Sequence, residues 1–215
     1  MSRADDIINR LKNDYPDAHC ELNYGSDFQL LVAVILSAQC TDKRVNIVTR
    51  ELFKTHGTPL DFATMEQEDL ERMIHSCGFY RSKAKSIISA SRDILEKFGG
   101  SVPRTMDELL TLRGVGRKTA NVMLSVAFGE PALAVDTHVF RTAHRLGLSD
   151  KPTPEGVEKD LVSQLGPDTL PIAHHLLIFH GRYRCHSQRP ECGICTLTDE
   201  CVYYNGGAKG IKQCL

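Results

Sequence analysis

Three stretches of this chain set Ser or Thr three residues ahead of Gln or Glu: Ser26 and Gln29, Thr64 and Gln67, Thr105 and Glu108. In such a pair the hydroxyl accepts from a backbone N–H in the first turn while the longer side chain reaches back, satisfying donors that a helix start leaves open. Thr153-Pro154 offers another start, with proline where a missing N–H costs nothing. Between starts the apolar residues recur at helical spacing: Val135, Val139, Ala143 and Leu146 form an i, i+4, i+8, i+11 stripe. No segment alternates with a period of two, and the connections ("FGGSVP", "FGEPA", "LGLSDKPTP") are short and rich in Gly or Pro. The chain is expected to be all-α.

At 215 residues there is enough chain for one large or two small domains with a core of their own. A hydrophobic share of 41% and a net charge of −1 exclude a bulk polycation, so any hold on nucleic acid needs a local basic face. The cations do gather, in "YRSKAKS", "LRGVGRK", "FRTAHR" and "HGRYRCHSQR", while acidic residues collect in "LDFATMEQEDLE". The N-terminus "MSRADDIINRLKNDYP" is polar and helical in pattern, unlike a secretory signal or transit peptide. The longest apolar run, Phe28 to Ala38, is 11 residues, too short for a bilayer and suited to a buried helix. No membrane contact is expected. The setting expected is a reducing cytoplasm, the nucleoid of a bacterium or archaeon, where cysteines need a use other than disulfides.

In "LRGVGRKTANVMLSVAFG" two glycines precede a basic pair and a nearly all-apolar run. A nucleotide P-loop needs a different spacing and a preceding strand. What remains is helix, tight turn, helix, with "TMDELLTL" before Gly114, Val115 and Gly116 and "RKTANVMLSVAF" after them. Glycines let backbone N–H groups approach a ligand, and the positive end of the second helix with Arg113, Arg117 and Lys118 would seat a DNA phosphate. A plain αα-turn with surface cations fits the spacing as well. The second helix is apolar nearly all round and is expected to be buried, with Lys118 at its mouth. A weaker echo, "CGFYRSKAKSIISASRDI", runs through the same order of glycine, turn, cations and helix; shared turn chemistry is the plainer account.

Four of the eight cysteines fall within 17 residues, as Cys185-x6-Cys192-x2-Cys195-x5-Cys201. Cys20, Cys40, Cys77 and Cys214 are scattered and read as ordinary thiols. Four thiolates in a loop-rich segment indicate a metal. Zinc prefers two short pairs, whereas an iron–sulfur cluster tolerates one short pair with longer arms; spacing alone leaves both open. The interleaved "RYRCHSQRPEC" is basic, as befits a metal-folded loop that meets an anion.

Taken in order, "LRGVGRKTANVMLSVAFG", "AVDTHVFR", "HGRYRC" and the cysteine spacing resemble endonuclease III, the bifunctional DNA glycosylase family of the helix-hairpin-helix superfamily. "LLVAVILSAQCTD" and "CGFYRSKA" extend the resemblance from about Asp27 to Cys201. It implies two helical domains with DNA gripped in the cleft between them. Residues 21–130 would form a central domain carrying the hairpin (about 105–128), and residues 1–20 would pack with 131–215. Cys185, Cys192, Cys195 and Cys201 would hold a [4Fe–4S] cluster. The substrate implied is duplex DNA bearing an oxidised or ring-saturated pyrimidine or an abasic site, met by a monomer whose links to downstream repair enzymes are only functional. Arg113 stands where that family usually has Pro, Cys40 where it has Ala and Phe79 where it has Leu, and "HSQRPE" is less basic than usual.

The resemblance also implies roles. The target base must leave the stack, and Gln39 and Phe79 are the candidates to fill the gap, one able to pair and one to wedge. Gly114, Val115, Gly116, Arg117 and Arg189 would meet the DNA backbone. Lys118 would attack the sugar C1′, expelling the base and leaving a Schiff base from which β-elimination cuts the strand. An amine attacks only when neutral; burial, the helix end and Arg117 are the features expected to favour that form. Asp136 opens the next helix as its N-cap, and its carboxylate could take the lysine's proton or stabilise charge on the sugar. A monofunctional glycosylase using Asp136 to activate water, a non-catalytic DNA-binding protein with a structural metal, and an iron–sulfur electron carrier are the rival readings.

Overall fold

The structure is a computed structural model that describes residues 2–206; Cys214 lies outside the described residues. No β-strand occurs among the described residues. The chain divides into two compact units, Glu21–Gly129 and the segments on either side of it, Met1–Cys20 with Glu130–Leu215. No helix is long and apolar enough to cross a membrane among the described residues.

Helix α1 (Arg3–Asp14) starts on a full capping box, Ser2 accepting from the Asp5 N–H while the Asp5 carboxylate accepts from the Ser2 N–H at 2.9 Å. It belongs to the divided unit and buries Ile7, Ile8 and Leu11 there.

The central unit runs from α2 (Asp27–Ser37) to α8. Ser26 caps α2, but the Gln29 side chain reaches Gly25 N–H rather than Ser26, so the expected box is only half made. The apolar run becomes the buried α2, with Leu30, Leu31, Ala33 and Leu36 inaccessible. Then come α3 (Asp42–Leu52), α4 (Pro59–Ala63) and α5 (Gln67–Met73). The start expected at Thr64 is not one: Thr64 closes α4, its hydroxyl donating to Leu60 O at 2.9 Å, and α5 begins at Glu66 without a side-chain cap. The box in this region is made instead by Thr58 and Asp61, with Pro59 at the first helical position. The 19-residue α6 (Tyr80–Phe98) packs against α2, α4 and α5 and ends on left-handed Gly99. Thr105 caps α7 (Met106–Thr111), but Glu108 accepts from the Thr105 hydroxyl at 2.8 Å and not from its backbone N–H, so this box too is half made; α8 (Arg117–Val122) widens into a π-helical turn, Met123–Ala127.

In the other unit, α9 (Thr137–Leu146), α10 (Pro154–Gln164), α11 (Leu170–Tyr183) and α12 (Val202–Asn205) follow. Thr153 caps α10 with Pro154 at its first position, as the sequence indicates. Val139, Ala143 and Leu146 of the α9 stripe join the core with Ala173, Leu176 and Leu177 of α11. The two helices meet at Gly181, where a β-carbon would stand 2.9 Å from His138 Cβ; the glycine of "HGRYRC" is what allows the approach.

Two histidines of α11 are neutral by burial. Burial, with His174 and His19 adding like charge, holds His175 down to about 3, and burial holds His180 down to about 4. Unfolded histidines take a proton near 6.5. The folded state therefore keeps this contribution in full above about pH 6.5 and loses it as pH falls toward the folded values. The unfolding free energy from urea titrations should drop between pH 7 and pH 5, by up to about 1.4 kcal/mol per pH unit for each histidine. His175→Gln should flatten the slope by about half, and an unchanged slope in that variant would refute the assignment.

Candidate active site and metal centre

The turn between α7 and α8 is closed by the Val115 N–H donating to Leu112 O at 3.1 Å. Gly114 sits at φ +83°, and a β-carbon there would meet Ser86 Cβ of α6 at 2.6 Å. Backbone conformation and close packing therefore both demand glycine. Gly114→Ala should lower stability by about 2–4 kcal/mol in chemical denaturation, the sum of left-handed strain and overpacking. Gly116→Ala, at ordinary φ with nothing within 4 Å of a β-carbon, should cost under about 1 kcal/mol. Equal losses would contradict this account.

Two expectations about this turn need correction. Val115 is buried and its N–H is already used within the turn, so it offers a phosphate neither side chain nor donor. Gly116, the N-cap of α8, brings no side chain to cap the first turn. Lys118, second residue of α8, is exposed rather than buried, so the protein alone does not strip it of water. Nor is its helix buried all round. Ala120, Asn121, Val122, Met123 and Ser125 face the interior, while Leu124, Val126 and Phe128 are half exposed where the helix widens.

Gln39 and Phe79 share an unusual geometry. With Arg189 they are the non-glycine residues at positive φ among the described residues, at 52°, 58° and 51°. Each left-handed residue costs about 1–2 kcal/mol, and such strain persists where the surrounding structure holds it for a purpose. Phe79 is 66% exposed, which removes the alternative that it is a core aromatic. Gln39 is also exposed. Their turns are neighbours: a β-carbon on Gly78 would lie 3.4 Å from Gln39 O. The support beneath is Lys83, buried, whose ammonium donates to Leu36 O at 2.8 Å and Ala38 O at 2.6 Å. The sequence places Lys83 in a basic patch; the structure turns it inward to tie the Gln39 turn to α6.

In the other unit Asp136 is the N-cap of α9, its Oδ1 accepting from His138 N–H at 2.9 Å and Val139 N–H at 2.8 Å. One oxygen makes both bonds, and the half-buried carboxylate is fixed in place by them. His138 is pulled below its ordinary value chiefly by burial, against Asp136.

The four cysteines Cys185, Cys192, Cys195 and Cys201 line one small recess, partly open to solvent, together with Leu146, His180 and Tyr203. Burial raises the Cys195 and Cys201 thiols, so an electrophilic metal is what would hold them as thiolates. Arg145 organises the loop. Its guanidinium donates to Cys185 Sγ at 3.3 Å, His186 O at 2.6 Å and Ser187 O at 3.0 Å, and lies 4.4 Å from the Tyr203 ring centre. Arg141 adds a bond to Cys185 O at 3.0 Å. Both arginines belong to "FRTAHR", which the sequence presents as part of a basic face. The signal missed is their spacing: Arg141 and Arg145 are one helical turn apart, flanking the apolar stripe. Arg189 is exposed on the loop.

Comparison with known proteins decides the family. A model described as HhH-GPD superfamily base excision DNA repair protein matches residues 32–167, and Endonuclease III of Bacillus subtilis (strain 168) is 48% identical over 202 residues, covering 94% of this chain and 92% of that one. The chain belongs to the endonuclease III family. As a family member it is a DNA glycosylase and AP lyase of base excision repair. Endonuclease III of Escherichia coli (strain K12) is 42% identical over 198 residues, covering 92% of this chain and 94% of that one. A solved structure described as a trapped Endonuclease III–DNA covalent intermediate is 45% identical with a TM-score of 0.90, covering 96% of this chain and 99% of that one.

Proposed function

We propose that the protein removes oxidised or ring-saturated pyrimidines from duplex DNA and cuts the resulting abasic strand by β-elimination, through a Schiff base on Lys118. The observation that carries this reading is the exposed lysine in the first turn of α8, directly after a glycine turn that gives the helix no side-chain cap. The α8 N-terminus and Arg117 bind a phosphate flanking the lesion. Gln39 and Phe79, held out of the surface by strained backbone, enter the space that the extruded nucleotide leaves. The Lys118 amine attacks C1′ and the base departs with the glycosidic electron pair; the C1′–O4′ bond then opens, O4′ taking a proton, to give the iminium, which loses a C2′ proton as the 3′ phosphate leaves. Asp136, immobilised by its cap bonds, accepts the proton of the attacking amine. Because Lys118 is exposed in the free protein, its desolvation comes from the bound duplex.

Four thiols lining one recess fit a [4Fe–4S] cluster by donor type and number. Bound, the cluster supplies a four-point crosslink for the Cys185–Cys201 loop, which presents Arg189 to the DNA backbone. A duplex carrying one thymine glycol, incubated with the protein and borohydride, should yield a covalent adduct on a denaturing gel. No adduct and no base release there, with an abasic duplex also inert, would end the catalytic reading.

A further inference from the structure

Cys40 and Cys77, read as unrelated thiols in the sequence, come together in the fold. Their side chains are near enough for each thiol to act electrostatically on the other. Cys77 is fully buried and Cys40 half buried. Cys40 directly follows Gln39, and Cys77 precedes Gly78 and Phe79, so the pair sits at the base of the two strained turns. Backbone contact between Gly78 and Gln39 holds those turns side by side. The buried Lys83 ammonium acts on both sulfurs, a cation placed to stabilise a thiolate. Burial, with Cys40 beside it, pushes the Cys77 thiol up to about 11, and Cys40, the more exposed of the two, is the one an oxidant reaches first.

We propose that Cys40 and Cys77 form a redox-responsive thiol pair whose disulfide fastens the Gln39 turn to the Phe79 turn and weakens the grip on damaged DNA. The oxidant is a small-molecule disulfide. The Cys40 thiolate attacks one of its sulfurs, forming a mixed disulfide and releasing one thiolate. Cys77 then attacks the Cys40 sulfur, the Cys40–Cys77 bond forms, and a second small thiol leaves with the Cys77 proton. Two electrons pass to the oxidant and no other reactant is needed. The effect on DNA rests on the reading that Gln39 and Phe79 enter the duplex: turns that must shift as bases part are locked by a covalent tie.

The test uses the full-length, iron-loaded protein equilibrated with oxidised glutathione, alkylated under denaturing conditions and analysed by peptide mass. Binding to a duplex with a stable abasic-site analogue and iron content are followed alongside. The expected result is joined Cys40 and Cys77 peptides, about 2 Da below the sum of the free ones. Affinity should fall about tenfold with iron retained and recover with dithiothreitol. Cys40→Ala should bind like the reduced protein and ignore the oxidant. Full alkylation of both cysteines, glutathione left on Cys40, or a formed disulfide without change in affinity would each overturn the proposal. A reduced protein that does not bind the abasic duplex overturns the repair reading and the DNA consequence with it, while the peptide masses still decide the pair.

Discussion

Lys118→Ala should abolish the borohydride adduct and slow strand cleavage at a thymine glycol by at least about 10³-fold, some 4 kcal/mol of barrier. The loss should leave folding and DNA binding nearly intact. Lys118 is exposed and no core contact depends on it. One cation fewer changes a salt-dependent phosphate grip by only a few-fold. Lys118→Arg keeps the charge and removes the nucleophile, so it should be as inactive as alanine while binding like the parent. A lysine that only held phosphate would give the opposite pattern, an active arginine variant. Asp136→Asn is the companion. Asn caps a helix about as well as Asp, so the His138 and Val139 bonds should survive and stability should move by under about 0.5 kcal/mol. A fall in turnover of 10²-fold or more then reports the lost proton acceptor and not a frayed α9. Base release that persists in Lys118→Ala but needs Asp136 would make the enzyme monofunctional.

What the sequence disclosed and what it hid follow one division. The cap at Asp136, the start at Thr153-Pro154 and the α9 stripe were legible because each is a matter of a few adjacent residues satisfying one turn of helix. Thr64 misled because Thr58, with Pro59 and Asp61, competes for the same stretch and wins a box made within four residues. The inward turn of Lys83 and Arg145 was illegible. Nothing in "YRSKAKS" or "FRTAHR" announces that the Ala38 carbonyl or the Cys185 sulfur will be waiting. The burial expected of Lys118 failed for a related reason. The apolar count of "RKTANVMLSVAF" averages over a segment whose second half widens and half emerges. Left-handed backbone at Gln39 and Phe79 could not be read from side chains that ordinarily avoid it.

Cys192→Ser should strip the iron and loosen the Cys185–Cys201 loop without unfolding the unit that carries it. The first half of the loop has little of its own to keep it folded, whereas the second half is tied to α1 by Arg10 to Asp199 at 2.8 Å and by the Thr196 hydroxyl to Asp14 at 2.6 Å. The loop's regular structure is one short turn, Cys192–Ile194, and Leu197 is the large apolar side chain it buries. The Arg184–Glu191 ion pair at 3.1 Å is part exposed and worth at most about 1 kcal/mol. Arg145 and Arg141 bind carbonyls at the loop's start but reach nothing between Gln188 and Ile194. Ordering the residues from about 188 to 195 costs about 1–2 kcal/mol each, beyond the bonds they make, so a bound cluster would supply most of the difference there. The core beneath is another matter, since Ile7, Leu11, Val139, Leu146, Leu161 and Leu177 are buried by helix packing alone. Trypsin should therefore cut the variant after Arg184 well before the parent, while the helical circular-dichroism signal stays within about a tenth of the parent's. Retained iron with a protected loop would remove Cys192 from the ligand set. Collapse of the helical signal together with the iron would mean that the cluster, and not the α9–α11 core, holds this unit together.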